Sequence, residues 1–308
     1  MEAAVFNFQS MSRTLISSLL GVVSLAQFAC ADDWPQWRGL SRDGISHEKG
    51  WRDQFPNQGP PIAWKAPVGL GFSSIVVGNA RACTAGHANG SDTIFCFDAV
   101  TGNGIWKQSY PTELGDKFYE GGTTGTPTLD GNRLYWLSRW GDLYCFDAAS
   151  GKIVWNRQLV KKTAARVPSW GFSGAPTGYK NLLILNVGDA GMAVDKMTGK
   201  EVWKSGEGAA GCNTPLAVTL AVTRGDKTEI WFANGEALLS VAPETGQENW
   251  RMKWLAQYGV NASDPIPFDD KVFISSGGKS WTAPVFANGL VYCRNSRGDL
   301  VAVDLCQK

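Results

Sequence analysis

The side chains best placed to bind a ligand are polar and aromatic residues that stand in or just before segments opening on a recurrent Pro. These candidates are Glu120, Thr123, Arg166, Trp170, Ser173, Asn213, Asp264 and Trp281. Aromatic walls with a few polar anchors suit a small or peptidic ligand. In the alternative interpretation, the Ser and Thr hydroxyls bond to backbone groups, while Trp170 and Trp281 only fill space.

Sequence patterns for several kinds of catalysis are incomplete in this chain. Residues 278–280 (Gly-Lys-Ser) resemble the end of a phosphate-binding loop, but Phe273 stands where the first Gly is needed. Residues 171–174 (Gly-Phe-Ser-Gly) do not have the spacing of a nucleophile elbow. The two His residues, His47 and His87, have no Cys or carboxylate at metal-ligand spacing. The sequence therefore predicts no catalytic residue and no metal ligand.

Composition and charge exclude further classes of partner. The chain has 308 residues, a formal net charge of +1 and 19% charged residues. Such a balance provides no electrostatic attraction for nucleic acid or for an anionic membrane surface. Hydrophobic residues make up 44% of the chain, which is enough for a sizeable core, and we expect a monomer.

The N-terminus has the pattern of a secretory signal peptide. Arg13 precedes an uncharged apolar stretch, residues 15–28, and Ala29-Cys30-Ala31 fits a small-x-small cleavage site. We therefore predict a signal peptide at residues 1–31, cleavage after Ala31, and a mature domain at residues 32–308 in the periplasm or secreted. The alternative is a lipoprotein signal with Cys30 acylated. No later run of 18 apolar residues predicts a membrane span.

One pair of Cys residues can be placed by strand register. Asn89-Gly90 is a strong two-residue hairpin turn, which places residues whose numbers sum to 179 opposite each other. Cys83 and Cys96 satisfy that sum, so they are candidates for a disulfide in an exported protein. The alternative is two separate buried thiols.

A repeat of about 48 residues is the strongest pattern in the chain. Each copy has an apolar strand, an Asp-x-x-Ser/Thr-Gly corner and a Trp four residues after the Gly, with Ala242 replacing Asp in the fourth copy. Successive Trp residues are 49, 48 and 47 positions apart. The Asp accepts backbone N–H groups of the turn, and the Gly adopts a positive φ. The structural repeat residues are Asp98, Gly102, Trp106, Asp147, Gly151, Trp155, Asp195, Gly199, Trp203, Gly246, Trp250 and Asp304.

Each repeat unit reads as four short strands, which is the pattern of a propeller blade. The predicted fold is all-β, a propeller with five full blades and a partial one. The last unit stops at Asp304 without a Trp strand, while the segment Ile62–Lys65 carries Trp64 without preceding strands. We therefore expect the Trp64 strand to complete the last blade and close the ring, which leaves no free sheet edge.

One unit of the repeat is shortened. Pro265 and Pro284 open successive units only 19 residues apart, and the first of these units has no Asp-x-x-Thr-Gly corner. The fragment 265–278 is therefore predicted to be a partial blade or an irregular segment.

The corner Phe-Asp-Ala-x-Ser/Thr-Gly-x-x-x-Trp resembles the pyrroloquinoline-quinone (PQQ) type propeller repeat. Quinoprotein dehydrogenases and the outer-membrane assembly factor BamB share this repeat. Residues 33–39 (Asp-Trp-Pro-Gln-Trp-Arg-Gly) resemble the opening of bacterial PQQ-like repeat proteins. The resemblance covers about residues 33–308 and implies a fold more specifically than a chemistry.

The resemblance implies PQQ with a calcium ion as a cofactor only where the dehydrogenase features are present. Those enzymes hold the quinone between a Trp and a disulfide of two adjacent Cys residues, and this chain has no adjacent Cys pair. We therefore expect no cofactor and a non-catalytic module, outside the cytoplasm, that binds a protein or small ligand. The alternatives are a PQQ-dependent dehydrogenase, or a shortened paralogue without function.

Overall fold

A computed structural model describes residues 33–46, 57, 63–117, 120–163, 165–208, 210–222, 225–256, 259, 261–268, 271–274, 285–287, 290–294 and 300–304. The predicted signal peptide, Cys30, His47 and Trp281 lie outside these residues. In the described part of the chain, no helix has the length and apolar character needed to cross a membrane.

The described chain is built from antiparallel sheets, four of which have four strands each. Sheet 1 contains β1 (Val76–Gly78), β2 (Arg81–Ala88), β3 (Ser91–Asp98) and β4 (Gly104–Pro111). Sheet 2 contains β5 (Thr128–Asp130), β6 (Arg133–Leu137), β7 (Asp142–Asp147) and β8 (Ile153–Gln158). Sheet 3 follows a five-residue helix, α1 (Leu159–Thr163), and contains β9 (Thr177–Tyr179), β10 (Leu182–Leu185), β11 (Met192–Asp195) and β12 (Glu201–Lys204). Sheet 4 contains β13 (Leu216–Val222), β14 (Gly225–Ala233), β15 (Ala237–Val241) and β16 (Glu248–Lys253).

Two smaller sheets follow in the chain. The shortened unit forms a two-stranded hairpin, β17 (Ile266–Phe268) with β18 (Lys271–Phe273), as predicted for a partial blade. The last unit forms a three-stranded sheet of β19 (Val285–Ala287), β20 (Leu290–Arg294) and β21 (Leu300–Asp304). In every sheet the strands are hydrogen-bonded in chain order, which is the arrangement of a propeller blade.

The Asp corner has the same geometry in sheets 1, 2 and 3. In sheet 3, Asp195 Oδ1 accepts the backbone N–H of Thr198 at 2.8 Å and the Thr198 hydroxyl at 2.7 Å. These two hydrogen bonds lower the pKa of Asp195. Gly199 has a φ of +65°, and a Cβ there would lie 2.6 Å from the Trp155 ring. The Gly is therefore required both by the turn and by the packing of the preceding Trp.

The repeat Trp of sheets 1, 2 and 3 joins its own sheet to the next one. The Nε1–H of Trp106 donates to Ala148 O at 3.0 Å, and that of Trp155 donates to Lys196 O at 3.1 Å. The acceptor is the residue after the corner Asp of the following sheet, or after Ala242 in the case of Trp203. Because the indole covers the apolar interior between the two sheets, the repeated Trp ties consecutive blades together.

The core lies between the faces of neighbouring sheets. One cluster of buried residues joins sheets 2, 3 and 4 through Trp155, Leu183, Trp203 and Phe232. A second cluster joins sheets 1 and 2. The fourth strands are the exposed outer edges, since β4 alternates exposed and half-buried side chains along its length. Face-to-face packing of this kind confirms an all-β, propeller-type architecture.

The closure of the ring stays a prediction. Residues 63–69 form no β-ladder, so the described part of the expected strand at Ile62–Lys65 is not a strand. Trp64 nevertheless occupies the position of the repeat Trp, because its Nε1–H donates to Ala99 O at 3.1 Å in the corner of sheet 1. The predicted fifth full blade depends on pairing Trp64 with the last sheet, and therefore the blade count stays a prediction too.

Candidate functional site

The two ends of each sheet are different surfaces. The corner end carries the turn between the first two strands and the corner between the third and fourth strands. The loop end carries the hairpin between the second and third strands and the long connection to the next sheet. All described candidate residues lie in the long connections between consecutive sheets. A site made from them must therefore lie at the loop end.

Hydroxyl groups of the candidate set connect one sheet to the next. Thr123 Oγ1 donates to Ala85 O at 3.0 Å, and Ser173 Oγ donates to Cys212 O at 3.2 Å. Thr123 is fully buried. Both side chains therefore satisfy backbone carbonyl groups between blades, as the structural alternative for these residues requires.

Asn213 has the same kind of role at the next interface. Its Nδ2 donates to Ala233 O at 2.9 Å and to Asn261 O at 3.0 Å, while its Oδ1 accepts Ala233 N–H at 3.1 Å. Asn213 is 1% exposed. Its amide thus joins the connection before sheet 4 to the connection after it, and it has little surface to offer a ligand.

The N-terminal segment, residues 33–44, runs across the first strands of consecutive sheets. Trp34 and Val77 exchange backbone hydrogen bonds of 2.7 and 2.9 Å, and Pro35 O accepts Leu129 N–H at 2.7 Å. First strands have an unpaired edge because each is the end strand of its sheet. The segment therefore covers edges that would otherwise leave backbone groups unbonded.

The same segment reaches the later sheets through its side chains. Arg42 donates to Thr177 Oγ1 at 3.0 Å and to Pro215 O at 3.4 Å, and Trp37 Nε1–H donates to Asp264 Oδ2 at 2.6 Å. Burial lowers the pKa of Arg42 to about 10, although the nearby Asp264 carboxylate opposes this shift. The segment thus contacts the inner side of five successive units of the repeat.

Asp264 is consequently held by the protein itself. Besides Trp37, its carboxylate accepts the backbone N–H of Thr214 at 2.9 Å. Burial raises the pKa of Asp264, while the bonds from Thr214 and Trp37 and the charges of Arg38 and Arg42 act in the opposite direction. The Asp264 carboxylate therefore anchors the N-terminal segment through Trp37.

Trp170 is the candidate residue that lines a cavity. The cavity has a volume of about 240 Å³ and lies at the loop end, between the connections that flank sheets 3 and 4. Its polar and aromatic lining consists of Ser169, Trp170, Asp189, Cys212, Asn234 and Glu236. At ~30 Å³ per water, this volume equals about eight waters, slightly below the usual ~300 Å³ of a small-molecule pocket.

The charge at the cavity is negative. Asp189 accepts two hydrogen bonds from Arg251, at 3.3 and 2.7 Å, and one from Asn234 Nδ2 at 2.9 Å. Arg251 also donates to both carboxylate oxygens of Glu248. These carboxylates raise the pKa of Arg251. Asp189 and Glu248 thus share one guanidinium, and Glu236 adds a third carboxylate at the cavity, so negative charge is in excess there.

The remaining candidates do not join this cavity. Glu120 and Arg166 are exposed on the connections before sheets 2 and 3, and neither is in the cavity lining. Cys212 does line the cavity, but burial raises the pKa of its thiol, so it stays protonated at neutral pH. Of the eight candidates, four are hydrogen-bonded to neighbouring parts of the protein: Thr123, Ser173, Asn213 and Asp264. Trp170 lines the cavity, and Trp281 lies outside the described residues.

A buried His–carboxylate pair was missed by the sequence analysis. His87 Nδ1 lies 2.8 Å from Asp92 Oδ1, and the Tyr110 hydroxyl donates to Asp92 Oδ2 at 3.3 Å. Burial raises the pKa of Asp92, against the hydrogen bond from His87. The numbers 87 and 92 sum to 179, so the register used for the Cys pair would have found this contact. In the described part of the chain, no three His, Cys, Asp or Glu residues form a metal-binding group.

The register of the first hairpin is confirmed. Asn89 and Gly90 have positive φ values of 51° and 70°, and Cys83 lies directly opposite Cys96. The two Sγ atoms are 3.0 Å apart in a fully buried position. The disulfide between them stays a prediction.

Comparison with known proteins identifies the family. A family model described as outer membrane protein assembly factor BamB matches residues 90–308. This chain belongs to that family. Its resemblance to PQQ-like propeller proteins is thereby confirmed.

Solved structures agree with the BamB family fold. BamB from Moraxella catarrhalis is 17% identical, with a TM-score of 0.53 and 80% of each chain covered. The quinohemoprotein alcohol dehydrogenase from Comamonas testosteroni is 16% identical, with a TM-score of 0.55, and the match covers 90% of this chain and 50% of that enzyme. At these identities the likeness shows the fold alone. No curated protein sequence matches the chain.

Proposed function

We propose that this BamB-family chain is a non-catalytic propeller, outside the cytoplasm, that binds a protein partner through the loop end of its sheets. The family description, outer membrane protein assembly factor, supports a protein as the partner. The signal-peptide pattern at residues 1–31 supports the compartment. The chain acts as a rigid frame that presents loops to the partner.

One observation carries this proposal: the polar candidate residues in the connections between sheets already form bonds within the protein. Thr123, Ser173 and Asn213 bond to the backbone of neighbouring units, and Asp264 is bonded to Trp37. Because these bonds are made to the protein itself, and Thr123 and Asn213 are buried, these groups have little surface to offer a ligand. The surface left for recognition is the exposed part of the loops.

The residues present do not fit PQQ bound in the manner of the dehydrogenases. The sequence has no two adjacent Cys residues to face the quinone ring. The acidic residues near the inner strands are not grouped as calcium ligands among the described residues, since Asp264 accepts hydrogen bonds from Trp37 and from the Thr214 backbone. Calcium sites need six or more oxygen ligands. These features support binding over oxidation chemistry.

Site-specific crosslinking tests the proposed binding face. The photoreactive residue p-benzoylphenylalanine is placed at Ser169 or Glu236 on the loop end, with Met197 and Val100 on the corner end as matched exposed controls. We expect one discrete protein adduct from the loop positions in cells of the native host, and none from the corner positions. Equal labelling from both ends, or no adduct from the loop end, contradicts the proposal.

Reconstitution tests the enzymatic alternative with the same purified chain. PQQ and Ca²⁺ are added, and dye-linked oxidation of primary alcohols is followed together with the quinone absorbance. We expect no turnover and no spectral change. Turnover that needs both additives would overturn the non-catalytic proposal whatever the crosslinking shows.

A further inference from the structure

The cavity beside Trp170 has the composition of a site for a positively charged group. Its lining combines an indole ring with the carboxylates of Asp189 and Glu236, and none of the described lining residues is Lys or Arg. An aromatic face attracts cations through its quadrupole, and nearby carboxylates strengthen that attraction. Neutral or anionic ligands gain neither interaction.

The carboxylates differ in how far they are already satisfied. Asp189 is bonded to Arg251 and to Asn234. Glu236 is exposed, and its carboxylate forms no hydrogen bond or ion pair with any other described residue. Glu236 is therefore the group that a ligand cation can approach without breaking an existing bond.

The wall behind the cavity contains an unused acceptor. Asn261 is fully buried, and its Nδ2 donates to Asn234 O at 2.7 Å, while its backbone O accepts Cys212 N–H at 3.0 Å. Its Oδ1 has no hydrogen-bond partner among the described residues. Asn234 and Cys212 both line the cavity, so Asn261, with its unsatisfied acceptor, stands behind two of the lining residues.

The walls are held rigidly, which favours a preformed site. Asn234 Oδ1 accepts the backbone N–H groups of Glu236 and Ala237 at 2.8 and 2.7 Å, and this fixes the hairpin that carries Glu236. On the opposite side, a Cβ at Gly208 would lie 2.6 Å from Asp189 Cβ. Gly208 thus lets the connection approach closely without filling the cavity.

We propose that this cavity receives a cationic side chain of the protein partner, with arginine preferred over lysine. This inference rests on the proposed function and names the chemistry of its contact. A guanidinium is planar, so it stacks on the Trp170 indole while it donates hydrogen bonds to Glu236. A volume of about 240 Å³ accommodates one such side chain and excludes a folded segment.

Titration with short peptides tests the inference on the full mature chain. The probe is N-acetyl-Gly-Arg-Gly-amide, and the matched peptides carry citrulline, which is neutral and of similar shape, or lysine. Binding is followed by NMR shifts of the tryptophan indole N–H groups, with Trp170→Leu used to assign the Trp170 signal. We expect Trp170 to shift most, and the arginine peptide to bind at least tenfold tighter than the citrulline peptide.

Substitutions in the cavity provide the second arm. Glu236→Gln is expected to weaken arginine-peptide binding by about threefold or more, since it removes the free charge. Asp116→Asn is the control, because Asp116 is an exposed carboxylate on another connection. Raising the salt concentration is expected to reduce the difference between the two variants. Unchanged indole N–H shifts in the unbound variants show that both remain folded.

The outcomes separate this inference from the proposed function. Equal binding of the arginine and citrulline peptides, or no effect of Glu236→Gln, overturns the cationic contact. If loop-end crosslinking persists in that case, the proposed function stands and only this inference fails. If crosslinking is lost as well, both are wrong.

Discussion

The two interfaces of sheet 4 differ in the acceptor that the repeat Trp uses for its indole N–H. On its entry side, Trp203 of sheet 3 donates its indole N–H to Pro243 O in the corner of sheet 4, at 2.8 Å. On its exit side, Trp250 donates instead to Glu229 Oε2 of its own sheet at 3.2 Å. The unit after sheet 4 is the shortened one, and residues 265–274 contain no corner to accept the indole.

Both interfaces provide the repeated Trp with a hydrogen-bond acceptor. A buried indole N–H needs an acceptor, and the following corner normally supplies a backbone carbonyl. Where the corner is missing, a carboxylate takes its place, and Ser240, Trp231 and Lys227 complete the hydrogen bonding of Glu229. Next to the shortened unit, the polar cluster around Glu229 inside sheet 4 thus replaces the missing corner as the acceptor for the Trp250 indole.

The largest effect is expected from removing the Trp at each interface. Trp203 is 8% exposed and packs on Gly246, whereas Trp250 is only half-buried. Trp203→Ala should cost about 3–5 kcal/mol of unfolding free energy, and Trp250→Ala about 1–2 kcal/mol. Urea unfolding of both variants measures this difference. Equal losses would mean that the two interfaces do not differ in strength.

A second test addresses the close contact between corner Gly and Trp. Gly199→Ala should cost about 2–4 kcal/mol, because a methyl group would collide with the Trp155 ring at a positive φ. Gly131→Ala is the matched control, since Gly131 also has a positive φ but has no atom within 4 Å of a Cβ. We expect a cost of about 1 kcal/mol there. Thermal melts of both variants decide whether the contact or the backbone conformation dominates.

The Glu229 cluster predicts a pH-dependent interface. Burial opposes ionisation, but hydrogen bonds from Lys227, Ser240 and Trp231 outweigh it and lower the pKa of Glu229 from 4.5 to about 2. A lowered folded-state pKa stabilises the protein above pH 4.5, and this stabilisation is lost as the pH falls towards 2.

Glu229→Gln should therefore cost about 1.5–3 kcal/mol at pH 7. Its difference from the original chain should shrink between pH 5 and pH 2. Urea unfolding at a series of pH values measures it. A difference that stays constant with pH would show that Glu229 does not act through its charge.

The smallest effect concerns the corner of sheet 4, where Ala242 stands in place of Asp. Its backbone bonds match those of sheet 3, since Gly246 N–H donates to Ala242 O at 2.8 Å. Ala242→Asp should stabilise the chain by about 0.5–1 kcal/mol by accepting the Thr245 hydroxyl and N–H. Adding Thr245→Ala should cancel most of this gain. No gain in urea midpoint would mean that an Asp side chain adds no stability to the corner of sheet 4.

Local pattern predicted the parts of the structure that depend on neighbours in sequence. The corners, the hairpin at Asn89-Gly90 and the partial blade at Pro265 follow from turn residues and strand spacing. The His87–Asp92 contact was equally accessible, because both residues lie within the same hairpin.

The candidate site was less predictable because it depends on long-range contacts. Trp37 and Asp264 are separated by 227 positions, and no periodic pattern links them. Thr123 and Ser173 lie in the connections, where residue type alone does not distinguish a ligand contact from a bond to the backbone. Cys212, Asp189 and Glu236 carry no repeat pattern at all.

The blade unit follows from local sequence pattern: an apolar strand, an Asp or Ala corner, a Gly with positive φ and a Trp at a fixed distance. These features act over a few residues, where backbone sterics and hydrogen bonding leave few alternatives. Which polar groups remain available to a ligand depends on the tertiary structure. The bonds from the N-terminal segment to the first strands and to the connections before them join residues far apart in the chain. Packing decides which side chains can contact a ligand. For that reason the candidate binding site is the cavity beside Trp170, and not the set of bonded residues Thr123, Ser173, Asn213 and Asp264.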